Sequence, residues 1–391
     1  MLDRMAVGDL PAKHHLALRG PMGQLRYEHC LTRSGFDGPY TILYHEHRPH
    51  AVEATVAARQ PPALENAEGA AEVGPARWLR RRHYRTYDFE GAGAAAEARL
   101  PVLFSPDVTL SIVKPTLSDS VYFMNGDADE LVFVRAGHGT VRSVFGDLEF
   151  GELDYVCLPK GMVYRFVIEG ACELLLIECS SGFGLPEQWR NEVGQLRMDA
   201  PYCHRDFRRP TFRGPIDEGI RDVVVKRAGS YYNVRYEHSP LDVVGWDGTV
   251  YPWSFPILAF QPRVSSVHLP PTWHGTFSAR GVLVCSFVPR PLDFHPDAIP
   301  CPYPHSSVDV DEVLYYVSGD FSSRSGVQPG SLTLHPRGIP HGPHPGRYEA
   351  SIGVRQTNEV AVMLDCYQPL SPTIWAKNVE DLAYEQSFFE R

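Results

Sequence analysis

The chain has 391 residues, a formal net charge of -10, 43% hydrophobic and 21% charged residues. That acidic balance argues against a nucleic-acid or anionic-membrane partner, and the length suits two ordinary domains or one doubled β architecture. No run of eighteen apolar residues occurs, the opening MLDRMAVGDLPAKHH has no apolar leader, and the eight cysteines form no CxxC pair. A membrane span, an export signal, a disulfide scaffold and structural zinc are therefore not expected, and a soluble cytoplasmic protein is.

Gly 33 and Pro 34, with Tyr 19 and Phe 19, favour a mainly β fold with many turns. RYEHCLTR and YTILYHEH read as the first strands, joined by the turn-forming SGFDGP. His45, His47 and His50 follow, with His45 and His47 on one strand face. No glycine pattern accompanies them, so a subunit contact is expected there rather than a metal. From Val52 to Arg77 the composition shifts to Ala, Glu, Pro and Gly, a loop or short helix without an apolar stripe. The next segment, RWLRRRHYRTYDF, concentrates Arg80, Arg81, Arg82 and Arg85, read as a solvated or intersubunit surface rather than an anion site.

From Leu100 to Glu178 strands and glycine turns alternate, as a β-sandwich or barrel requires. Within this stretch Glu130 is followed after six residues by Gly137, and later come Pro159, Gly161 and Tyr164. Residues 180 to 245 connect to a segment dense in aromatics and proline, LDVVGWDGTVYPWSFPILAFQPRVSSVHLPPTWHGTF. Its rings can wall an apolar cavity into which His268 and His274 project.

The stretch Cys301 to Gly346 then holds His305, Glu312, His335, His341 and His344. VDEVLYYVSG and GSLTLH read as strands with Gly/Pro-rich turns after each, a layout able to bring His305, Glu312 and His341 to one point. Two imidazoles and one carboxylate are the ligand set of non-haem Fe(II) oxygenases. Asp309 and Asp311 compete for the carboxylate role, but only Glu312 keeps the six-residue interval to Gly319. The intervals from Glu312 to Gly319, and from Pro336 through Gly338 to His341, repeat those of Glu130 to Gly137 and of Pro159 through Gly161 to Tyr164. The chain is thus expected to contain the same barrel twice. The first copy has Asn125, Asp127 and Tyr164 where histidines belong, so it reads as structural and the metal belongs to the second.

These half-motifs resemble those of the cupin superfamily, with the departure that His305 has no second histidine two places on. The expected fold is mainly β with little helix: two cupin-like barrels, the first degenerate. The N-terminal domain is expected over residues 1–240, its barrel at about 100–180, and the metal-carrying domain over 241–391. The C-terminal NVEDLAYEQSFF reads as a short helix.

VVGWDGTVYPWSFP, SVHLPP, DEVLYYVSGDF, SLTLHPRGIPHGP and the final TIWA resemble the homogentisate 1,2-dioxygenases, as do DADELVFVRAGHGTV and LPKGMVYRF more faintly. The resemblance implies an Fe(II) enzyme that uses O2 to cleave a hydroquinone ring bearing an acetate side chain, yielding maleylacetoacetate in tyrosine and phenylalanine breakdown. It implies His305, Glu312 and His341 as iron ligands, His268 as the base taking the phenol proton, and His335 near the substrate; it also implies assembly into trimers or hexamers. Tyr303 and Arg263 are positional candidates for the substrate carboxylate. Two departures bear on the substrate: Phe321 stands where the family usually has tyrosine, and one additional residue lies between His305 and Glu312. Cleavage of another hydroxylated aromatic acid such as gentisate, and a cupin isomerase or lyase using another divalent metal, are the competing readings.

Overall fold

The structure, a computed structural model, describes residues 3–67 and 79–389. Part of the alanine-rich segment after Val52 lies outside the described residues. Two sheets of seven strands form the first barrel. One runs in the order Gly146–Phe150, Gly139–Ser143, Tyr164–Ile168, Tyr122–Asn125, Asp222–Arg227, Ser230–Tyr236 and Val52–Val56. The other runs Trp253–Pro256, Asp154–Leu158, Asp129–Ala136, Glu173–Cys179, Val108–Val113, Arg99–Phe104 and Ser371–Pro372. Glu173–Cys179, ELLLIEC, carries no polar alternation because it lies centrally, between Asp129–Ala136 and Val108–Val113, and is buried on both faces.

The second barrel is built on a six-stranded sheet: Gly275–Ala279, Val282–Phe287, Val360–Cys366, Asp311–Ser318, Leu332–His335 and Arg82–Tyr84. Its outermost strand thus comes from the N-terminal half, while Trp253–Pro256 and Ser371–Pro372 close the edges of the first barrel's sheet. A fourth sheet joins Met5–Gly8, Val243–Gly248, Tyr40–His45 and Tyr27–Thr32. One apolar core runs through both barrels, with Tyr155 edge-on to Phe277 at 5.3 Å across the junction. The α-helices described, Arg347–Ala350 and Ile374–Asn378, are short, and Glu385–Phe388 forms a 3-10 turn in the C-terminal segment. Among the described residues no helix is long and apolar enough to cross a membrane. All eight cysteines are free, and six are buried as small apolar groups.

Within the arginine cluster Arg80, Arg81 and Arg82 are held by carboxylates of the same chain rather than solvated, while Arg85 stays at the surface beside Asp88. Arg80 and Arg82 both bond Glu380, at 2.9 and 2.8 Å, and Arg81 pairs with Glu385 at 3.0 Å. Because Arg82–Tyr84 pairs with Leu332–His335, the cluster is carried onto the second barrel, where the C-terminal segment supplies its counter-charges.

The duplication is visible at the level of single hydrogen bonds. Asp129 accepts the backbone N–H of Lys160 (2.8 Å) and of Phe183 (3.1 Å); Asp311 accepts those of Arg337 (2.9 Å) and Leu370 (2.8 Å). The glutamates that follow also correspond: Glu130 lies opposite Leu158 and Glu178, and Glu312 opposite His335 and Asp365. Gly137 and Gly319 both adopt positive φ, 91° and 89°, where an added Cβ would meet backbone oxygen at 2.8 and 2.3 Å. The architecture is a mainly β bicupin.

Candidate metal centre

Strand pairing places the three donors predicted as ligands. Glu312 sits second on the strand Asp311–Ser318, with its carboxylate turned into the barrel. His305 and His341 are tied by a two-way backbone pair, each N–H donating to the other's carbonyl at 2.8 Å, so the loops before and after the sheet meet at this point. Ligand atoms of His305, Glu312 and His341 all lie within 4.8 Å of one another. Nε2 of His305 is 3.9 Å and Nε2 of His341 is 3.7 Å from the Glu312 carboxylate.

This donor set fits a divalent metal. Both ring nitrogens of His341 are buried without a hydrogen-bond partner, an expense that a buried polar group ordinarily avoids, and one that coordination through Nε2 would relieve. Burial works against the Glu312 charge, but His335 and His341 outweigh it and hold the carboxyl well below its ordinary range. Glu312 is therefore an anion at neutral pH, as a ligand must be.

His335 occupies a different place from the one expected of a substrate contact. It is fully buried directly opposite Glu312, with Nδ1 at 2.7 Å from Oε1 and Nε2 at 3.4 Å from the Tyr384 hydroxyl. Burial and the field of Arg324 push its pKa down to about 3 despite Glu312, so the neutral ring donates its Nδ1–H and orients the carboxylate. The reason is register: strands that pair residue against residue put both side chains on the same sheet face.

A pocket of about 110 Å³ opens on the centre, and His268, His305 and Glu312 form part of its wall. His268 is 3.7 Å from Asp293 through Nδ1 and is lowered in pKa, chiefly by burial, which keeps it able to accept a proton at neutral pH. His274 also lines the pocket, beside the Phe287 ring at 4.9 Å, and burial takes its pKa to about 3. Tyr303 and Phe321 are not part of the wall: Tyr303 is 49% exposed, its ring edge-on to His268 at 5.2 Å, and Phe321 packs on Tyr316 at 4.9 Å. His341 touches the centre from behind that wall. His344 stacks on Phe388 at 4.0 Å and bonds Ser387 at 2.7 Å, outside the triad.

Sequence reading missed two residues here. Arg324, 6% exposed, lines the pocket; its Nη1 donates to the carbonyls of Ser323 (3.3 Å) and Gly342 (2.6 Å), while Nε is buried without a partner. Asp365 faces Glu312 across the sheet, and burial together with the Glu312 charge pushes its pKa up to about 7. Neither belongs to a spacing motif; only strand register or a fold of the FSSRSG loop reveals them. The other pocket arginines are engaged: Arg290 pairs with Glu359 at 3.0 Å, and Arg263 stacks over Trp273 at 4.8 Å.

His45 and His47 both turn to Asp242, at 2.6 and 3.0 Å, and His47 stacks on His238 with centroids 3.6 Å apart. This cluster lies on the N-terminal sheet, away from the triad. In the first barrel, Asn125 donates to Glu130 (2.8 Å) and Glu178 (2.6 Å), and Asp127 accepts the N–H groups of Ala228 and Gly229.

A family model described as homogentisate 1,2-dioxygenase N-terminal matches residues 108–257. A Saccharolobus solfataricus protein named "Putative dioxygenase" is 32% identical over 388 residues, covering 98% of each chain. The homogentisate 1,2-dioxygenase of Rhizobium rhizogenes is 26% identical over 287 residues, a match that takes in 67% of this chain and 60% of that enzyme's length. Among solved structures, a cupin 2 conserved barrel domain protein from Leptotrichia buccalis aligns over 68% of this chain and 88% of its own, at 11% identity and a TM-score of 0.32.

Proposed function

The chain belongs to the homogentisate 1,2-dioxygenase family, and we propose that it is an Fe(II)-dependent ring-cleaving dioxygenase of a hydroxylated aromatic acid, homogentisate first among them. The observation that carries the reading is the convergence of His305, Glu312 and His341, the first two in the wall of a pocket that also presents His268 and Arg324. Oxygenase chemistry needs a metal face with three protein donors and open positions, which this set provides.

His305, Glu312 and His341 would hold the iron, and His335 would fix the Glu312 carboxylate through Oε1. When bound, Fe(II) supplies the site at which O2 and a phenolate come together, and both oxygen atoms enter the ring-opened product. His268, neutral at physiological pH, is placed to take the phenol proton, with Asp293 steadying the imidazolium that results. Arg324 offers a guanidinium to the carboxylate of the substrate. Pro271, Pro302 and Phe287 give the wall an apolar stretch that limits water around the reacting ring.

With homogentisate the product is maleylacetoacetate, which places the reaction in tyrosine and phenylalanine breakdown, in a cytoplasmic homo-oligomer. The additional residue between His305 and Glu312 keeps a second substrate in view: it lies in the loop that carries His305 into the pocket wall, so a ring with other substituents, such as gentisate, fits the same chemistry. Anaerobic loading with Fe(II), followed by oxygen uptake and ultraviolet absorbance with homogentisate, gentisate and hydroquinone, tests the proposal. Uptake with homogentisate that disappears in His341→Ala supports it. Uptake with gentisate alone moves the substrate, and iron binding without oxygen uptake on any of the three defeats the dioxygenase reading.

A further inference from the structure

A second cavity, of about 580 Å³, lies at the junction of the two barrels and shares no lining residue with the metal pocket. Its size is within the roughly 300–1,000 Å³ typical of small-molecule pockets, which gather at domain junctions. Asp129 and Lys160 enter it from strand ends of the first barrel, Ser278 and Arg280 from the second, and the connecting segment 180–190 closes one side. That segment is held to the second barrel by paired bonds between Gly184 and Ser278, both 2.9 Å, and by Trp189 donating to the Gly275 carbonyl at 2.7 Å.

We propose that this cavity is a binding site for a small organic anion, one with an apolar body and a carboxylate or phosphate group. The charge around it runs against that of the whole chain. In a protein of net charge -10, Arg33, Lys160, Arg190 and Arg280 face a cavity that contains one carboxylate, Asp129. That carboxylate is already committed, bonded to Arg33 at 2.5 Å and to the N–H groups of Lys160 and Phe183. Lys160 spends one donor on the Ser180 carbonyl at 2.8 Å. Arg190 leaves Nε buried without a partner, and Arg280 has its backbone N–H fixed by Ser181 at 2.8 Å while its side chain is exposed to the cavity.

Cationic donors in excess of acceptors, some already buried, are what an anionic ligand satisfies. The lining also includes Phe207 and Trp253, packed edge to face at 5.3 Å, which offer a surface for a ring rather than for a bare ion. Gly182 keeps the cationic side open. Its φ is +88°, and a Cβ there would lie 2.3 Å from Arg33 Nη2 and 2.8 Å from Asp129.

Isothermal titration of the full-length protein with phenyl phosphate, phthalate and inorganic phosphate tests this at low ionic strength. One aromatic anion is expected to bind saturably at one equivalent and more tightly than inorganic phosphate, the better of the two identifying phosphate or carboxylate as the preferred group. Arg190→Gln with Arg280→Gln should weaken it about tenfold or more and leave oxygen uptake as in the parent; Arg280→Gln alone, at an exposed position, guards against misfolding of the double variant. His341→Ala should not change the affinity. Absence of saturable binding by both aromatic anions, affinity indifferent to the arginine substitutions, or loss of binding in His341→Ala overturns the proposal. So does a change of oligomeric mass on Arg280→Gln, because the occupant is then a second copy of the chain.

Discussion

The Arg99 guanidinium donates to the Glu130 carboxylate at 2.5 Å, on the strand position at which the second barrel gathers His305 and His341 about Glu312. The same guanidinium reaches the Tyr164 hydroxyl at 3.0 Å, and Tyr164 in turn bonds Glu130. Tyr164 follows Leu158 by the same interval as His341 follows His335. The first barrel thus keeps the buried glutamate of a metal site and meets its charge with a side chain. Burial alone would raise the Glu130 pKa, but Arg99 holds it below the ordinary range.

Replacing that cation should be expensive. Removing one partner of a buried ion pair costs about 3–5 kcal/mol because the other charge is left unpaired. Arg99→Met is expected to lose stability on that scale in urea unfolding, while Arg99→Met combined with Glu130→Gln recovers part of it. A single variant as stable as the parent would show that Lys226, paired with Glu178 at 2.6 Å, is cation enough for both buried glutamates.

Much of this organisation was legible in the sequence, because the half-motifs are local. Glu312 to Gly319 is a strand and its turn, Pro336 to His341 is a turn and its return, and each keeps its geometry wherever the barrel sits. What escaped was non-local. Arg80 meets Glu380 across 300 positions, and His45 meets Asp242 across 197; no periodicity encodes such pairs. His335 departs from its expected place for a subtler reason: its strand is legible, but only the register against Asp311–Ser318 seats it, fully buried, directly beneath the Glu312 carboxylate that it bonds.

That register leads to a prediction for His335. Groups that orient a metal ligand from behind typically account for about 10–100-fold in metal affinity. His335→Ala should weaken Co(II) or Fe(II) binding by that factor in an anaerobic titration, with the fold intact by circular dichroism. Unchanged affinity alongside a raised KM would return His335 to the substrate side.

Arg324 should govern recognition of the substrate's carboxylate. Truncating one member of a buried, hydrogen-bonded charge pair costs about 2–5 kcal/mol, so Arg324→Gln should raise KM for homogentisate by about 30-fold or more. Hydroquinone, which has no carboxylate, should be turned over with kcat/KM close to the parent's. Equal losses for both compounds would mean that Arg324 serves the Ser323 and Gly342 carbonyls alone.

Glu218, in the first barrel, should contribute a share of the acid sensitivity. Its carboxylate accepts from Arg142 and Arg165, each at 2.6 Å, and from the Tyr122 hydroxyl at 2.8 Å, tying a connecting loop to three strands. Burial acts to raise its pKa, but these donors prevail and take it from 4.5 down to about 2. A folded-state pKa below the unfolded one means that the unfolded chain binds more protons, so the contribution to stability is full above about 4.5 and is lost as the pH falls through about 2. Glu218→Gln should therefore be less stable than the parent at pH 6, and the gap should narrow as the pH is lowered from 4.5 toward 2. Urea midpoints measured across that range check the sign: a gap that widens on acidification would mean that Glu218 is protonated in the folded state and bonds the arginines only weakly.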